Sequence, residues 1–305
     1  MNTSPKIGLA LGSGASRGWS HIGVIDALVA EGIEPDIVCG TSVGAMMGAA
    51  YVAGNLPKLK DWVMASSRAD VYRFFDIKFS QTGFVDIHRL DQFLNDYVVD
   101  KETEIGDLPK PFLAVSTCLN SGQEIWSRTG KVAKSVRASM SLPGLFPPVR
   151  YEGRWLVDGG LVNPVPVTAC RALGADVVIA VNLNSDIVGK RLDRTVETSA
   201  SEEEGLLQYL KQQAKEYSSS LFSSAKEEEI SPGLLSVVSS SINIFQDRIT
   251  RSRLAGDPAD IMISPRLRDV GLLEFGKAAE AMQTGEACVQ RVIPDIKRLI
   301  ESLQG

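Results

Sequence analysis

Histidine is scarce: two imidazoles, His21 and His88, serve a chain of 305 residues. A zinc centre built on histidine ligands is therefore poorly supported. Any hydrolytic chemistry that needs an imidazole base has only these two from which to draw. Cysteine is sparse as well. Cys39, Cys118, Cys170 and Cys288 stand far apart, with no CxxC pair and no metal-ligand spacing, so they read as reduced thiols of a cytoplasmic protein. No apolar run approaches the ~20 residues of a membrane span. The short run Ile7 to Leu11 is too brief for a signal-peptide core and fits a buried strand. Basic excess is also missing: a net charge of −5 leaves no footprint for nucleic acid.

What is present is the composition of a globular protein, 44% hydrophobic and 23% charged. Short apolar runs alternate with helical patterns up to about residue 184, the signature of an α/β sheet. Strands are expected at 7–11, 37–39, 177–183 and 261–264, with a pair at 112–119 and 123–127 around the turn Asn120-Ser121-Gly122. Helices are expected at 18–32 and 42–53, and over 272–303 with breaks near Gly285 and Pro294. Residues 185–235 differ. Two acidic clusters, Glu202–Glu204 and Glu227–Glu229, and several serine runs mark a charged, mobile insertion. Leu207, Leu210, Ala214, Tyr217 and Leu221 still give it one amphipathic helix. A second apolar stripe, Leu234, Val238, Ile242, Phe245 and Ile249, is expected to pack on the main body. The whole reads as one domain, with a core of about 5–184 plus 236–300.

Three loops carry chemistry. Gly40-Thr41-Ser42-Val43-Gly44 follows a strand and opens a helix. GxSxG at that position forms a nucleophile elbow, whose sharp turn lifts the serine hydroxyl above the sheet at a helix N-terminus. Ser42 would also serve there as a plain N-cap. Gly12-Ser13-Gly14-Ala15-Ser16-Arg17-Gly18 again joins strand to helix. Its small residues suit either a phosphate or an oxyanion, the latter through the amides of Ser13, Gly14 and Ala15. A dinucleotide site wants a third glycine where Arg17 stands and an acid ending the next strand, whereas Asp36 precedes it. Arg17 would offer charge to a substrate phosphate or simply be solvated at a helix start. Finally, Asp158 ends an apolar strand before Gly159 and Gly160. It is either a turn former or a general base. His88 lies in a polar turn, and His21, one turn behind the glycine loop, suits a bond to a backbone carbonyl better than a role as base. With imidazole short, a carboxylate is left to take the serine proton.

In order, the glycine-rich loop Gly12–Gly18, GxSxG at Gly40–Gly44 and Asp158-Gly159-Gly160 resemble the patatin-like phospholipase family. The segments Arg137 to Pro148 and Gly256 to Ile261 are similar to it too, and the likeness spans nearly the whole chain apart from 185–235. The resemblance implies a three-layer α/β/α fold with a mostly parallel sheet. It also implies a Ser42–Asp158 dyad acting on an acyl ester of a lipid, with no metal and no organic cofactor. The family usually has glycine at all three oxyanion positions, and here Ser13 and Ala15 replace two. A regulatory or scaffolding protein that keeps the fold is the rival expectation. The apolar segment Leu142–Val149 and the amphipathic insertion would line the acyl site, touch a bilayer peripherally or, as the plainer expectation, simply pack.

Overall fold

The computed structural model describes residues 4–66, 77–80, 83–85, 87–187, 234–272 and 274–304. The expected helix around 207–221 and both acidic clusters lie outside the described residues. Strands β1 (Ile7–Leu11) and β2 (Ile37–Thr41) come first, then a two-stranded ribbon of β3 (Ile77–Ser80) and β4 (Gly83–Val85). They are followed by β5 (Phe112–Cys118), β6 (Glu124–Ser127), β7 (Val149–Tyr151), β8 (Arg154–Asp158), β9 (Val177–Val181) and β10 (Ile261–Ile263). Helices are α1 (Ser20–Ala30), α2 (Val43–Val52), α3 (Leu56–Ala65), α4 (Ile87–Phe93), α5 (Val132–Ser139), α6 (Val167–Ala172), α7 (Leu234–Gly256) and α8 (Ala278–Gln304).

The main sheet runs β10-β9-β1-β2-β5-β8-β7, with β6 also on β5. Pairings from β10 through β5 are parallel; those of β6, β7 and β8 are antiparallel. Its central strands are apolar on both faces, as a covered parallel sheet requires. Leu9, Leu11, Val38, Phe112, Ala114, Ile179 and Val181 join one apolar layer with α1, α2 and α8. Their alternate neighbours, among them Ala10, Cys39, Leu113, Val115 and Val178, join the opposite layer with α6. This period of two places helices on either side and makes the three layers.

Two expectations about helices fail. The break foreseen over 272–303 is absent: after a 3₁₀ turn (Phe275–Lys277), α8 runs unbroken through Gly285 and Pro294. A proline inside a helix costs ~3 kcal/mol. Val289, Ile293 and Ile296 are buried on the same stripe and contribute about 1.5–3 kcal/mol each, which outweighs it. Gly285 is required by proximity, since a Cβ there would overlap the Ser20 carbonyl of α1. On α7, the expected apolar stripe is not the buried face. Phe245 is 60% exposed while Gln246, Asp247 and Thr250 are buried; the helix turns the amides of Asn243 and Gln246 toward Arg17 and Asn184, and Asp247 pairs with Arg251 of the same helix.

By its contacts the chain divides into Met1–Val188 with Ser241–Gly305, and Gly189–Ser240. Of the latter, only 234–240, the first turns of α7, are described. Among the described residues no helix is long and apolar enough to cross a membrane.

Candidate active site

Strand β5 sets the geometry of the site. Along one of its edges β2 pairs as far as Thr41 opposite Val115, and β8 enters from the other direction with Asp158 opposite Ser116. Since β6 occupies the other edge of β5, β2 and β8 meet end to end. Ser42, the residue after β2, and Asp158, the last of β8, are thus brought together across 116 positions of sequence. Ser42 Oγ donates to Asp158 Oδ2 at 2.6 Å.

Ser42 sits at φ 58, ψ −126, a backbone conformation that a non-glycine residue holds at a cost of order 1–3 kcal/mol. The elbow is therefore real, and Ser42 makes no side-chain cap to α2. The N-cap reading fails. Gly40 and Gly44 are not among the positive-φ glycines; what they give the sharp turn is room. A Cβ on Gly44 would overlap the Leu11 carbonyl, and one on Gly40 the backbone of Gly44 and Ala45. Gly18 meets Val43 and Gly159 meets the Val115 carbonyl in the same way.

Asp158 is fully buried, and that burial raises its carboxyl from 3.8 to about 6, against the bonds from Ser42 and Gly160 that favour the charged form. Gly160 N–H donates to Oδ1 at 2.7 Å. Thr117 Oγ1 donates to the Asp158 carbonyl, and Asp158 N–H to that of Ser141. One carboxylate oxygen is thus held by the backbone and the other is left for the serine. A base near 6 takes a proton more readily than an ordinary aspartate.

The glycine loop is only partly as expected. Ser13 N–H is committed to the Pro164 carbonyl at 2.9 Å, which removes it from the oxyanion donors. Gly12 N–H is likewise bound to Val181. The amides of Gly14 and Ala15 have no acceptor among the described residues. Arg17 is neither solvated nor turned to a ligand: it is 1% exposed. Its Nε donates to the Gly14 carbonyl at 3.1 Å and its NH2 to Asn243 at 2.9 Å. Burial lowers Arg17 to about 10, with Asp186 opposing the shift. Because C=O and the following N–H of a trans peptide point opposite ways, pinning the Gly14 carbonyl turns Ala15 N–H away from the guanidinium. Ala15 holds φ 49, so the loop keeps a glycine-like backbone despite its side chain. His21 pins the loop two peptides earlier, with Nε2 2.8 Å from the Gly12 carbonyl. Burial drops it to about 4, and it remains neutral at pH 7.

Sequence reasoning missed Ser139. Its Oγ accepts from Ser42 N–H at 2.7 Å and donates to the Val115 carbonyl, bracing the strained elbow. It lies at the end of α5, within the segment flagged as family-like, but no spacing rule links it to Ser42. Also unforeseen is the polar support behind Gly160, where Asn184 Nδ2 contacts the Ser13 carbonyl and Gln246 Oε1.

The patatin-like phospholipase family model matches residues 9–171. An NTE family protein of Mycobacterium tuberculosis is 30% identical, over 96% of this chain and 92% of its own. Lysophospholipase nte1 of Aspergillus fumigatus is 30% identical over 95% of this chain, which spans only 18% of that larger protein. Among solved structures, VipD from Legionella pneumophila shares the fold with a TM-score of 0.50 at 14% identity, over 96% of this chain and 67% of its own. With its three loops, its mostly parallel sheet and these relatives, the chain belongs to the patatin-like phospholipase family.

Proposed function

We propose that this protein is a serine hydrolase of lipid acyl esters, with phospholipids or lysophospholipids as substrates, working through a Ser42–Asp158 dyad. The observation that carries the reading is the 2.6 Å bond from Ser42 Oγ to a buried carboxylate, in a site whose histidine is bound elsewhere. Asp158 takes the hydroxyl proton as Oγ attacks the ester carbonyl. The tetrahedral oxyanion receives the Gly14 and Ala15 amides, each such donor being worth ~3 kcal/mol of barrier. The proton passes to the leaving alcohol and leaves an acyl ester on Ser42. Water, activated by the same carboxylate, then releases the fatty acid and restores the dyad. The lysophospholipase name of the fungal relatives agrees with this substrate class.

Hydrolysis of lysophosphatidylcholine, phosphatidylcholine and short acyl esters by wild type, Ser42→Ala and Asp158→Asn tests it. Either substitution is expected to lower kcat by about a thousandfold or more. A folded wild type with no turnover on any acyl ester would favour the regulatory or scaffolding role. Retained turnover in Asp158→Asn with loss in His21→Ala would transfer the base to His21.

A further inference from the structure

A cationic cleft opens along α5, the helix that ends in Ser139, in a chain whose net charge is −5. It encloses about 660 Å³ between α4, α5 and β7, and its charged lining is Lys101, Lys131, Lys134, Arg137 and Arg150 against a single acid, Asp91. Asp91 clasps Arg137, and Glu102 and Glu104 hold Lys131. Lys101, Lys134, Arg150 and the neighbouring exposed Arg154 have no carboxylate partner among the described residues. Aromatic rings take that place: Lys134 Nζ lies 5.3 Å from the Tyr151 ring centre and Arg150 Cζ 5.7 Å from that of Trp155.

The β7–β8 hairpin extends this surface outward. Trp155 is 42% exposed and Leu119 55%, and Leu119 N–H bonds to the Trp155 carbonyl, so the two are neighbours. Register fixes their height. Asp158 faces Ser116, level with the nucleophile, and Trp155 lies three residues further out, about 10 Å at ~3.4 Å per residue. The exposed apolar pair therefore stands beyond Ser42 on the same end of the sheet, flanked by cations. An indole among lysines and arginines is the side-chain set that settles at a headgroup layer, ring at the interface and cations on phosphate.

We propose that this face, formed by the cleft and the hairpin tip with Leu119, docks on an anionic phospholipid bilayer. The inference takes its use from the lipid-hydrolase reading but is tested without turnover. The Ser42→Ala protein is sedimented with vesicles of phosphatidylcholine alone, or with about one third phosphatidylglycerol. The anionic vesicles are expected to carry it down and the neutral ones to leave it in solution, with binding lost as salt rises. Adding Lys134→Glu with Arg150→Glu, or Trp155→Ala with Leu119→Ala, is expected to weaken partition at least about tenfold. Lys297→Glu with Arg298→Glu, the same charge change on α8, binds like the parent. With Ser42 restored, the cleft and hairpin variants cleave a soluble short-chain ester as wild type does. If the charge reversal does not fold, Lys134→Gln with Arg150→Gln replaces it. Equal binding to both vesicle types, or variants that bind undiminished, would overturn the proposal. So would a dimer that the Trp155→Ala, Leu119→Ala protein dissolves, since the face would then belong to a second copy.

Discussion

At the scale of single residues, the proposed reactive centre is one hydroxyl and one carboxylate, and burial sets the carboxylate's affinity for a proton. Asp158 titrates near 6 because desolvation of its charge exceeds the help of the Ser42 and Gly160 bonds. Below that pH the carboxyl is protonated and cannot take the proton of Ser42. The kcat/KM of ester hydrolysis is therefore expected to rise with pH and reach half its plateau near 6. A pH–rate profile on a soluble ester checks this, and a midpoint near the ordinary aspartate value of 3.8 would contradict it. His21 titrates near 4, so its own protonation lies too low to account for a midpoint of 6.

At the scale of elements, the site depends on how strand ends and loops brace one another. The strained Ser42 backbone is held by Ser139, whose hydroxyl accepts from its N–H and donates to the Val115 carbonyl. Ser139→Ala leaves both backbone groups unpaired, at about 1–3 kcal/mol for each buried one. The variant is expected to melt lower and to lose kcat more than KM rises, because the elbow that aims Oγ is released. Thermal denaturation beside steady-state kinetics reads both effects. Much of this arrangement was legible in the sequence. Ile7–Leu11 is a strand as its apolar run implied, and the elbow and Asp158 stand at strand ends as expected. The motifs are local, so a few adjacent residues reveal them. Ser139, Gln246 and Asn184 act on the site from far away in sequence; the family-like segment marks the neighbourhood of Ser139 but not its bond to Ser42, and nothing marks the other two. Arg17 was visible as a charge, but only packing decides that it faces the Gly14 carbonyl instead of a ligand. The buried polar stripe of α7 was obscured by Phe245, whose place in an apolar repeat suggested the opposite face.

At the scale of the whole molecule, the same buried groups couple function to stability. Asp158 rises from 3.8 to about 6 on folding, so the folded state gains from its proton at low pH and loses about 3 kcal/mol as pH climbs from 4 to 6. His21 falls from 6.5 to about 4, so its contribution is present above 6.5 and about 3 kcal/mol is lost as pH drops toward 4. The two slopes oppose each other, and these groups leave wild-type stability nearly level across that window. Asp158→Asn removes one of them. Relative to wild type, its unfolding free energy is expected to tilt downward by about 3 kcal/mol as pH falls from 6.5 to 4. Urea titrations at several pH values measure the tilt; parallel curves for the two proteins would contradict the burial of Asp158.

The most direct test of the central claim is intact-mass analysis after incubation with a fluorophosphonate, which bonds to an activated serine. Wild type is expected to gain a single adduct at Ser42, Ser42→Ala none, and Asp158→Asn one that forms far more slowly. A folded wild type that stays unlabelled, or a Ser42→Ala protein labelled as readily as wild type, would contradict the Ser42–Asp158 dyad.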